Sequence, residues 1–253
     1  MPGSGDAPGG GALRLAMWSG PRNISTALMR SFGNRQDTRV VDEPFYAHYL
    51  QVTGLPHPGR QEIIAVHESD WRRVVESLLA PLPEGVRILY QKQMSHHLLP
   101  GMRRDWLDRM THAFLIRDPR HMLASLEQKL GDFDLSATGL PQQVEIFDQV
   151  LQNTGRVPPV IDAADVLAAP EPMLMALCAA LGVPFTRRML SWPPGLRATD
   201  GVWAKHWYEK VERSTGFAAR AEEPARPLEG PLARLESECR PLYERLRAHR
   251  LRA

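Results

Sequence analysis

Two short segments of this 253-residue chain combine arginine, hydroxyl and turn-forming residues in patterns suited to phosphate binding. The first is the stretch SGPRNIST over residues 19–26, directly after the apolar run 13–18. The second begins at Arg117 after the apolar run 113–116 and ends at Ser125. Each predicts a strand that ends in a turn and opens a helix, which aims backbone N–H groups and the positive end of the helix dipole at an anion. Two such sites indicate a ligand with two separate phosphates.

Further candidates for chemistry follow two other predicted strands. Glu43 comes after the run 39–41, and Pro44 is expected to hold it in an extended conformation that points its side chain off the sheet. Lys92 follows the run 86–90. Each also has a structural interpretation, as a salt-bridged or capping carboxylate for Glu43 and as a solvated loop lysine for Lys92.

Composition limits the class of protein. The chain has 31 basic and 29 acidic residues, a net charge of +2, which argues against nucleic-acid binding by bulk charge. Cys178 and Cys239 lie far apart without zinc-type spacing, which indicates a reducing compartment. No apolar run approaches the roughly 18 residues of a membrane helix. We expect a cytoplasmic protein without nucleic-acid or membrane partners, and nothing in the sequence indicates an oligomeric state.

Strand-like and helix-like patterns alternate along the chain. Strands are predicted at 13–18, 39–41, 86–90, 113–116 and 159–162, and helices up to residue 32 after a cap by Asn23 or Ser25, and at 60–80, 104–110, 141–154, 172–181 and 231–250. This alternation predicts an α/β fold with a parallel sheet and helices on both faces. Ligands of such sheets bind at the carboxyl ends of the strands, where both motifs and Glu43 fall.

The domain organisation is expected to be simple. Residues 1–11, rich in glycine and proline, predict a disordered leader. Residues 12–253 are expected to form one α/β domain, in which a loop over 191–230 covers the site before the terminal helix.

The first motif departs from the loop of ATP- and GTP-binding proteins. That loop has a lysine before its final Ser/Thr, and with Thr26 in the final position Ser25 stands in place of the lysine. The nearby cation is Arg22, and no clear strand ending in a magnesium-positioning Asp is evident. The sequence therefore argues against ATP hydrolysis with magnesium.

Taken together, the motifs resemble those of sulfotransferases. The first is similar to the family's 5′-phosphosulfate loop, and the second to its 3′-phosphate motif, in which a proline follows the arginine by two residues and a serine by eight. The segment 160–171 resembles the next family strand and helix entry. The resemblance implies a P-loop-like three-layer sandwich with a central, mostly parallel sheet. It also implies sulfuryl transfer from 3′-phosphoadenosine 5′-phosphosulfate to a hydroxyl or amine of a small-molecule acceptor, with no metal required.

Carried over by position, the resemblance implies which residues hold the donor. These are Gly20, Pro21, Arg22, Asn23, Ile24, Ser25, Thr26, Arg117 and Ser125. A late segment, residues 197–208, resembles the family loop that closes over the 3′-phosphate and adenine, which adds Arg197, Trp203 and Lys205. The tryptophans of this late segment have the alternative role of pinning the terminal helix to the body. Ile24 replaces the family's usual glycine, and because a β-branched residue resists positive φ, we expect this turn to differ in shape.

Catalysis of such a transfer needs cations aimed at the developing charge and a base for the acceptor proton. Arg22 and Lys92 are the candidate cations. Glu43 is the candidate base, because its Glu-Pro-aromatic context resembles that of catalytic glutamates in the family, and His96 and His97 are its rivals. Two other functions stay open: a P-loop kinase or nucleotidase with an altered loop, and a non-catalytic module that binds an adenosine bisphosphate.

Overall fold

The centre of the molecule is a parallel sheet. The structure is a computed structural model that describes residues 12–218 and 226–253, so the predicted leader and residues 219–225 of the predicted covering loop lie outside it. The strands are β1 (Leu13–Ser19), β2 (Thr38–Asp42), β3 (Ile88–Met94), β4 (Thr111–Ile116) and β5 (Val160–Asp162). They pair in the order β2-β3-β1-β4-β5, and every pairing is parallel. All five carboxyl ends therefore meet at one edge.

Helices cover the sheet and carry the connections between its strands. They are α1 (Ser25–Gly33), α2 (Tyr46–Thr53), α3 (Arg60–Val66), α4 (Trp71–Leu79), α5 (Pro119–Leu130), α6 (Leu140–Thr154), α7 (Ala163–Ala168), α8 (Pro170–Ala180), α9 (Ala204–Trp207), α10 (Glu209–Glu212) and α11 (Gly230–Arg247). Short 3₁₀ turns lie at Ser95–His97, Asp105–Arg109, Ser136–Thr138 and Arg187–Leu190. Within the described ranges, no helix combines the length and apolarity needed to cross a membrane.

Alternate residues of the strands pack on opposite faces of the sheet. Leu15 and Met17 of β1 face a cluster that includes α1, α2 and α8. Ala16 and Trp18 face a second cluster, built with α4, α6 and α11. Because successive side chains of a strand point to opposite faces, a sheet covered on both sides requires apolar residues at nearly every position. The predicted three-layer α/β fold is confirmed.

Several predicted elements have different bounds in the structure. The helix predicted over 60–80 divides into α3 and α4, because Asp70 accepts a hydrogen bond from the Arg72 amide at 2.9 Å and starts a new helix. The helix predicted over 104–110 is a 3₁₀ turn. The third strand extends four residues beyond its predicted end, because buried polar residues continue its pairing with β1. Lys92 therefore lies within a strand rather than in a solvated loop.

The strand order places the predicted motifs side by side. β1 lies between β3 and β4 in the sheet, so the loops that follow these three strands are neighbours. Across β2 and β3, Asp42 pairs in register with Lys92. Residues directly opposite on adjacent strands lie within contact distance, so this register brings an acidic and a basic side chain together at the site.

Candidate active site

The loop after β1 has a backbone shaped for an anion. Arg22 and Ile24 both take left-handed conformations, with φ 62° and φ 55°. Ile24 directly precedes α1, and no side chain caps the helix there. The first N–H groups of α1 are therefore open to a ligand, at the positive end of the helix dipole. N–H groups arranged on such a backbone form a concavity that binds anions.

Two expectations about this loop are wrong. Neither Asn23 nor Ser25 caps α1, since Ile24 holds the cap position without a side-chain hydrogen bond. The β-branched side chain also does not keep the turn out of the left-handed region. Ile24 packs against the apolar cluster beneath α1, which holds the residue in this conformation. Such a conformation costs about 1–3 kcal/mol and is typical of functional sites.

Arg22 and Arg117 converge although 95 residues separate them. The Arg117 Nη1 donates to the Arg22 carbonyl oxygen at 2.6 Å, and the Arg22 Nε donates to the Ser125 Oγ at 2.9 Å. Burial, followed by the nearby charge of Arg117, lowers the pKa of Arg22. Within the described part of the chain, Arg22 contacts no carboxylate. Two adjacent cations in this setting favour binding of an anion.

Both arginines line one cavity of 1260 Å³. The cavity also reaches the candidate residues Pro21, Asn23, Ile24, Ser25, Thr26, Glu43, Lys92, His96, His97 and Ser125. Common pockets for one small ligand measure about 300–1,000 Å³. This cavity therefore has room for a nucleotide and a second molecule together. The structure thus brings residues of both motifs and the candidate bases to one place.

Gly20 fixes the position of the first loop. A Cβ at this residue would lie 2.3 Å from the carbonyl oxygen of Thr138, a separation that atoms of a side chain and backbone do not tolerate. Gly139, which follows Thr138, has φ 71°, and a Cβ there would lie 3.3 Å from the Gly20 Cα. The close backbone packing holds the loop after β1 against the turn that precedes α6, so Gly20 supports the loop instead of lining the cavity.

Lys92 is the centre of a buried polar cluster. Its Nζ donates to Glu43 Oε1 at 2.5 Å, to the Tyr208 hydroxyl at 2.6 Å and to Asp42 Oδ1 at 3.1 Å. Burial alone would lower the pKa of Lys92, but the two carboxylates outweigh it and raise the pKa. Lys92 is therefore a fixed cation at the cavity wall.

Glu43 stands where β2 ends, in a strained conformation. Its φ of 41° contradicts the extended backbone expected before Pro44. The Glu43 amide donates to the Lys92 carbonyl at 3.0 Å, and its own carbonyl accepts from the Tyr46 amide at 3.0 Å, so the chain turns sharply here. Burial, partly offset by Lys92, raises the pKa of Glu43. Its Oε2 accepts no hydrogen bond from any residue in the described ranges, and the side chain lines the cavity. Glu43 thus presents a carboxylate oxygen to the cavity.

His96 and His97 are buried among aromatic rings. His97 stacks on Tyr46 and Tyr49, with ring centroids 4.7 Å and 4.6 Å away. Burial lowers the pKa of His96 to about 3 and lowers that of His97 well below its usual value. Both rings are therefore neutral at pH 7. Proton acceptance by either one is less favourable than by Glu43.

The three late residues expected at the donor lie away from the cavity. Arg197 is beside the end of α1, and its amide donates to Asp200 at 2.8 Å. Lys205 pairs with Glu62 at 2.5 Å on the surface. Trp203 is buried, and its ring centroid lies 5.1 Å from that of Tyr46 and 4.9 Å from that of His67. These contacts are with residues outside the terminal helix. The part of this segment that lines the cavity comes later and includes Trp207, Tyr208, Lys210 and Phe217.

Sequence reasoning missed three residues of the site. Asp42 and Tyr208 hold Lys92, and the His57 Nδ1 lies 2.9 Å from the Tyr46 hydroxyl at the cavity wall. Asp42 could have been found from its place beside Glu43 at a strand end. No local signal separates Tyr208 from the other aromatic residues of its segment.

Comparison with known proteins agrees with this geometry. A family model described as a sulfotransferase domain matches residues 13–249. The chain belongs to the sulfotransferase family. Sulfuryl transfer is therefore the general chemistry of this domain.

Curated relatives match the domain as part of longer proteins. Two proteins of Arabidopsis thaliana, named branched-chain-amino-acid aminotransferase-like proteins 2 and 1, are 36% and 38% identical to the chain over 234 residues. The match covers 92% of this chain and 41% of each relative. The sulfotransferase chain thus spans about two fifths of the length of these relatives.

Solved structures show the same fold at low sequence identity. A sulfotransferase domain from the Synechococcus PCC 7002 olefin synthase has a TM-score of 0.59 at 17% identity, covering 97% of this chain and 98% of that one. A sulfotransferase from Alicyclobacillus acidocaldarius has a TM-score of 0.56 at 15% identity, with 95% and 97% covered. The sulfotransferase domain of the curacin biosynthetic pathway has a TM-score of 0.53 at 16% identity, with 90% and 97% covered.

Proposed function

We propose that this sulfotransferase transfers the sulfuryl group of 3′-phosphoadenosine 5′-phosphosulfate to a hydroxyl or amine of a small-molecule acceptor. The observation that carries the proposal is the convergence of Arg22 and Arg117 on one cavity beside the uncapped start of α1. A nucleotide with anionic groups on both sides of its ribose complements two such cationic points. The size of the cavity leaves space for an acceptor next to the nucleotide.

The donor is held by charge and by hydrogen bonds. Arg22 and the N–H groups at the start of α1 bind the 5′-phosphosulfate, and Arg117 with Ser125 binds the 3′-phosphate. Charge-assisted hydrogen bonds of this kind are worth about 1.5–3 kcal/mol each. Ser25 and Thr26, two further sequence candidates in the loop, add hydroxyl donors from the cavity wall.

The transfer requires one bond to form and one to break. The acceptor oxygen or nitrogen attacks sulfur, the bond from sulfur to the 5′-phosphate oxygen breaks, and adenosine 3′,5′-bisphosphate leaves. Glu43 takes the acceptor proton on its free Oε2, while Arg22 and Lys92 stabilise the charge that gathers on the transferring group. Glu43 is preferred over His96 and His97 because burial keeps both imidazoles weakly basic.

Binding of adenosine 3′,5′-bisphosphate tests the donor assignment by calorimetry and thermal shift. At a concentration 100 times Kd it should stabilise the protein by about 2.7 kcal/mol, and ATP with magnesium should bind more weakly. Arg117→Ala should weaken binding about 10- to 150-fold, from the loss of a charged hydrogen bond. The matched control is Arg120→Ala, because Arg120 follows in the same motif but pairs with Glu236 instead of lining the cavity.

Three outcomes would count against the proposal. A preference for ATP with magnesium would favour a kinase or nucleotidase. Equal loss of affinity in Arg117→Ala and Arg120→Ala would remove the specific role of Arg117. Tight binding of the bisphosphate without transfer of ³⁵S-labelled sulfate from the donor to a panel of alcohols, phenols and amines would favour a binding module.

A further inference from the structure

The late segment reaches into the centre of the site. The Tyr208 hydroxyl donates to the two carboxylate oxygens of Asp42, at 2.8 Å and 2.7 Å, and accepts from Lys92. The Gly201 amide donates to Asp42 Oδ2 at 3.2 Å, and Trp203 Nε1 donates to the Tyr208 hydroxyl at 3.1 Å. A segment about 160 residues further along the chain therefore completes the hydrogen bonding of a strand-end carboxylate.

The two carboxylates beside Lys92, those of Asp42 and Glu43, differ in the hydrogen bonds that they accept. Asp42 accepts hydrogen bonds from Lys92, Tyr208 and Gly201, so its negative charge is stabilised on both oxygens. Glu43 accepts on Oε1 from Lys92, with Tyr208 at the longer distance of 3.5 Å. One ammonium group is thus shared by two buried anions. The better-bonded Asp42 fixes Lys92, and Glu43 keeps an oxygen for a proton.

We propose that Tyr208 and Asp42 are positioning residues that fix Lys92 between two carboxylates and so set the proton affinity of Glu43. This inference rests on the proposed role of Glu43 as the base. In this proposal neither Tyr208 nor Asp42 accepts the proton of the substrate. Their role is to decide where the charge of Lys92 lies.

Glu43 has charged and titratable neighbours on every element packed against it. Lys92 comes from β3, Asp42 from β2, Tyr46 from α2 and Tyr208 from the late segment. Farther neighbours act on these groups: His97 faces Lys92, and His67 and Tyr90 face Asp42. With the histidines neutral and the tyrosines protonated, Lys92 and Asp42 are the charges that Glu43 experiences.

Two substitutions should change the pKa of Glu43 in opposite directions. Tyr208→Phe removes the hydroxyl that donates to Asp42 and so leaves the charge of Asp42 less well stabilised beside Glu43, which should increase the pKa of Glu43. Asp42→Asn removes the competing anion and leaves Lys92 to Glu43 alone, so the pKa of Glu43 should decrease. Each shift should be about one pH unit, the size expected for the loss of one charged interaction.

The titration of Glu43 can be followed directly by ¹³C NMR on protein labelled at the glutamate side-chain carboxyl. The resonance is assigned by its loss in Glu43→Gln. Tyr243→Phe is the matched control, because it also removes a hydrogen bond from a tyrosine hydroxyl to a buried aspartate. The Tyr243 hydroxyl donates to Asp162 at 2.6 Å, and neither residue lines the cavity. This variant should titrate like the wild type.

Shifts of opposite sign in Tyr208→Phe and Asp42→Asn would support the inference. Unchanged titration, or shifts of the same sign, would overturn it. If Tyr208→Phe does not fold, the direction of the shift in Asp42→Asn decides alone. The titration needs neither donor nor acceptor, so its failure is distinguishable from failure of the proposed function, which would show as absent bisphosphate binding by the wild type.

Discussion

The left-handed conformation of Ile24 makes a specific prediction about stability. Glycine adopts φ 55° without steric cost, whereas alanine retains the clash between Cβ and the backbone. Ile24→Gly and Ile24→Ala both lose the packing of the isoleucine side chain. The difference between the two variants therefore isolates the cost of the backbone conformation, and Ile24→Gly should be the more stable.

The expected difference follows from two opposing terms. A residue with a Cβ loses about 1–2 kcal/mol in the left-handed region. Glycine loses about 0.5–1 kcal/mol more chain entropy on folding than alanine does. The glycine variant should therefore be more stable by about 0.5–1 kcal/mol. In the interior of a helix the order is reversed, and glycine is less stable than alanine by about 1 kcal/mol.

Urea unfolding and thermal melting measure this difference. The control pair is Arg234→Gly and Arg234→Ala, because Arg234 is an exposed residue inside α11. For a domain of this size, 1 kcal/mol corresponds to about 2–4 °C in Tm. If Ile24→Ala is at least as stable as Ile24→Gly while the Arg234 pair shows the ordinary order, the left-handed turn, and with it the described shape of the loop after β1, is refuted.

Two further substitutions test the base and the loop. Glu43→Gln should lower turnover about 10²–10⁴-fold with donor affinity retained; because burial raises the pKa of Glu43, the wild-type rate should rise with pH over a limb above the ordinary glutamate value of about 4.3, and the variant should lack this limb. A rate and limb that survive the change would transfer the role to His96 or His97. Gly20→Ala should destabilise the protein by about 1–3 kcal/mol in urea unfolding, because its Cβ meets the Thr138 carbonyl, whereas Gly101→Ala, which has open space, should change stability by about 0.5 kcal/mol or less. Equal stability of these two alanine variants would contradict the packing described for the loop.

The fold and the adjacency of the two motifs could be predicted from the sequence because both follow from local patterns. Apolar runs of strand length and helix-start residues at fixed spacing are visible within windows of about ten residues. Parallel pairing then places the carboxyl ends of the strands at one edge. Thus the neighbourhood of Arg22, Arg117 and Glu43 could be anticipated before any distance between them was known.

Other features of the site depend on contacts between distant parts of the chain. The late segment offers several aromatic and cationic residues, and its sequence does not distinguish Trp203, which is buried against α2, from Trp207, which lines the cavity. Backbone conformation was also set by packing: Ile24 and Glu43 take left-handed conformations that their local sequence disfavours.

By itself, then, the sequence determined that two turns with candidate phosphate-binding motifs stand at neighbouring strand ends of a parallel α/β sheet. Tertiary structure decided the protonation and partners of the residues between them. The pKa of Glu43, the fixed charge of Lys92 and the neutrality of His97 arise from burial and from side chains contributed by remote segments. Local spacing specifies where a side chain emerges, whereas its electrostatic environment is a sum over everything that packs around it.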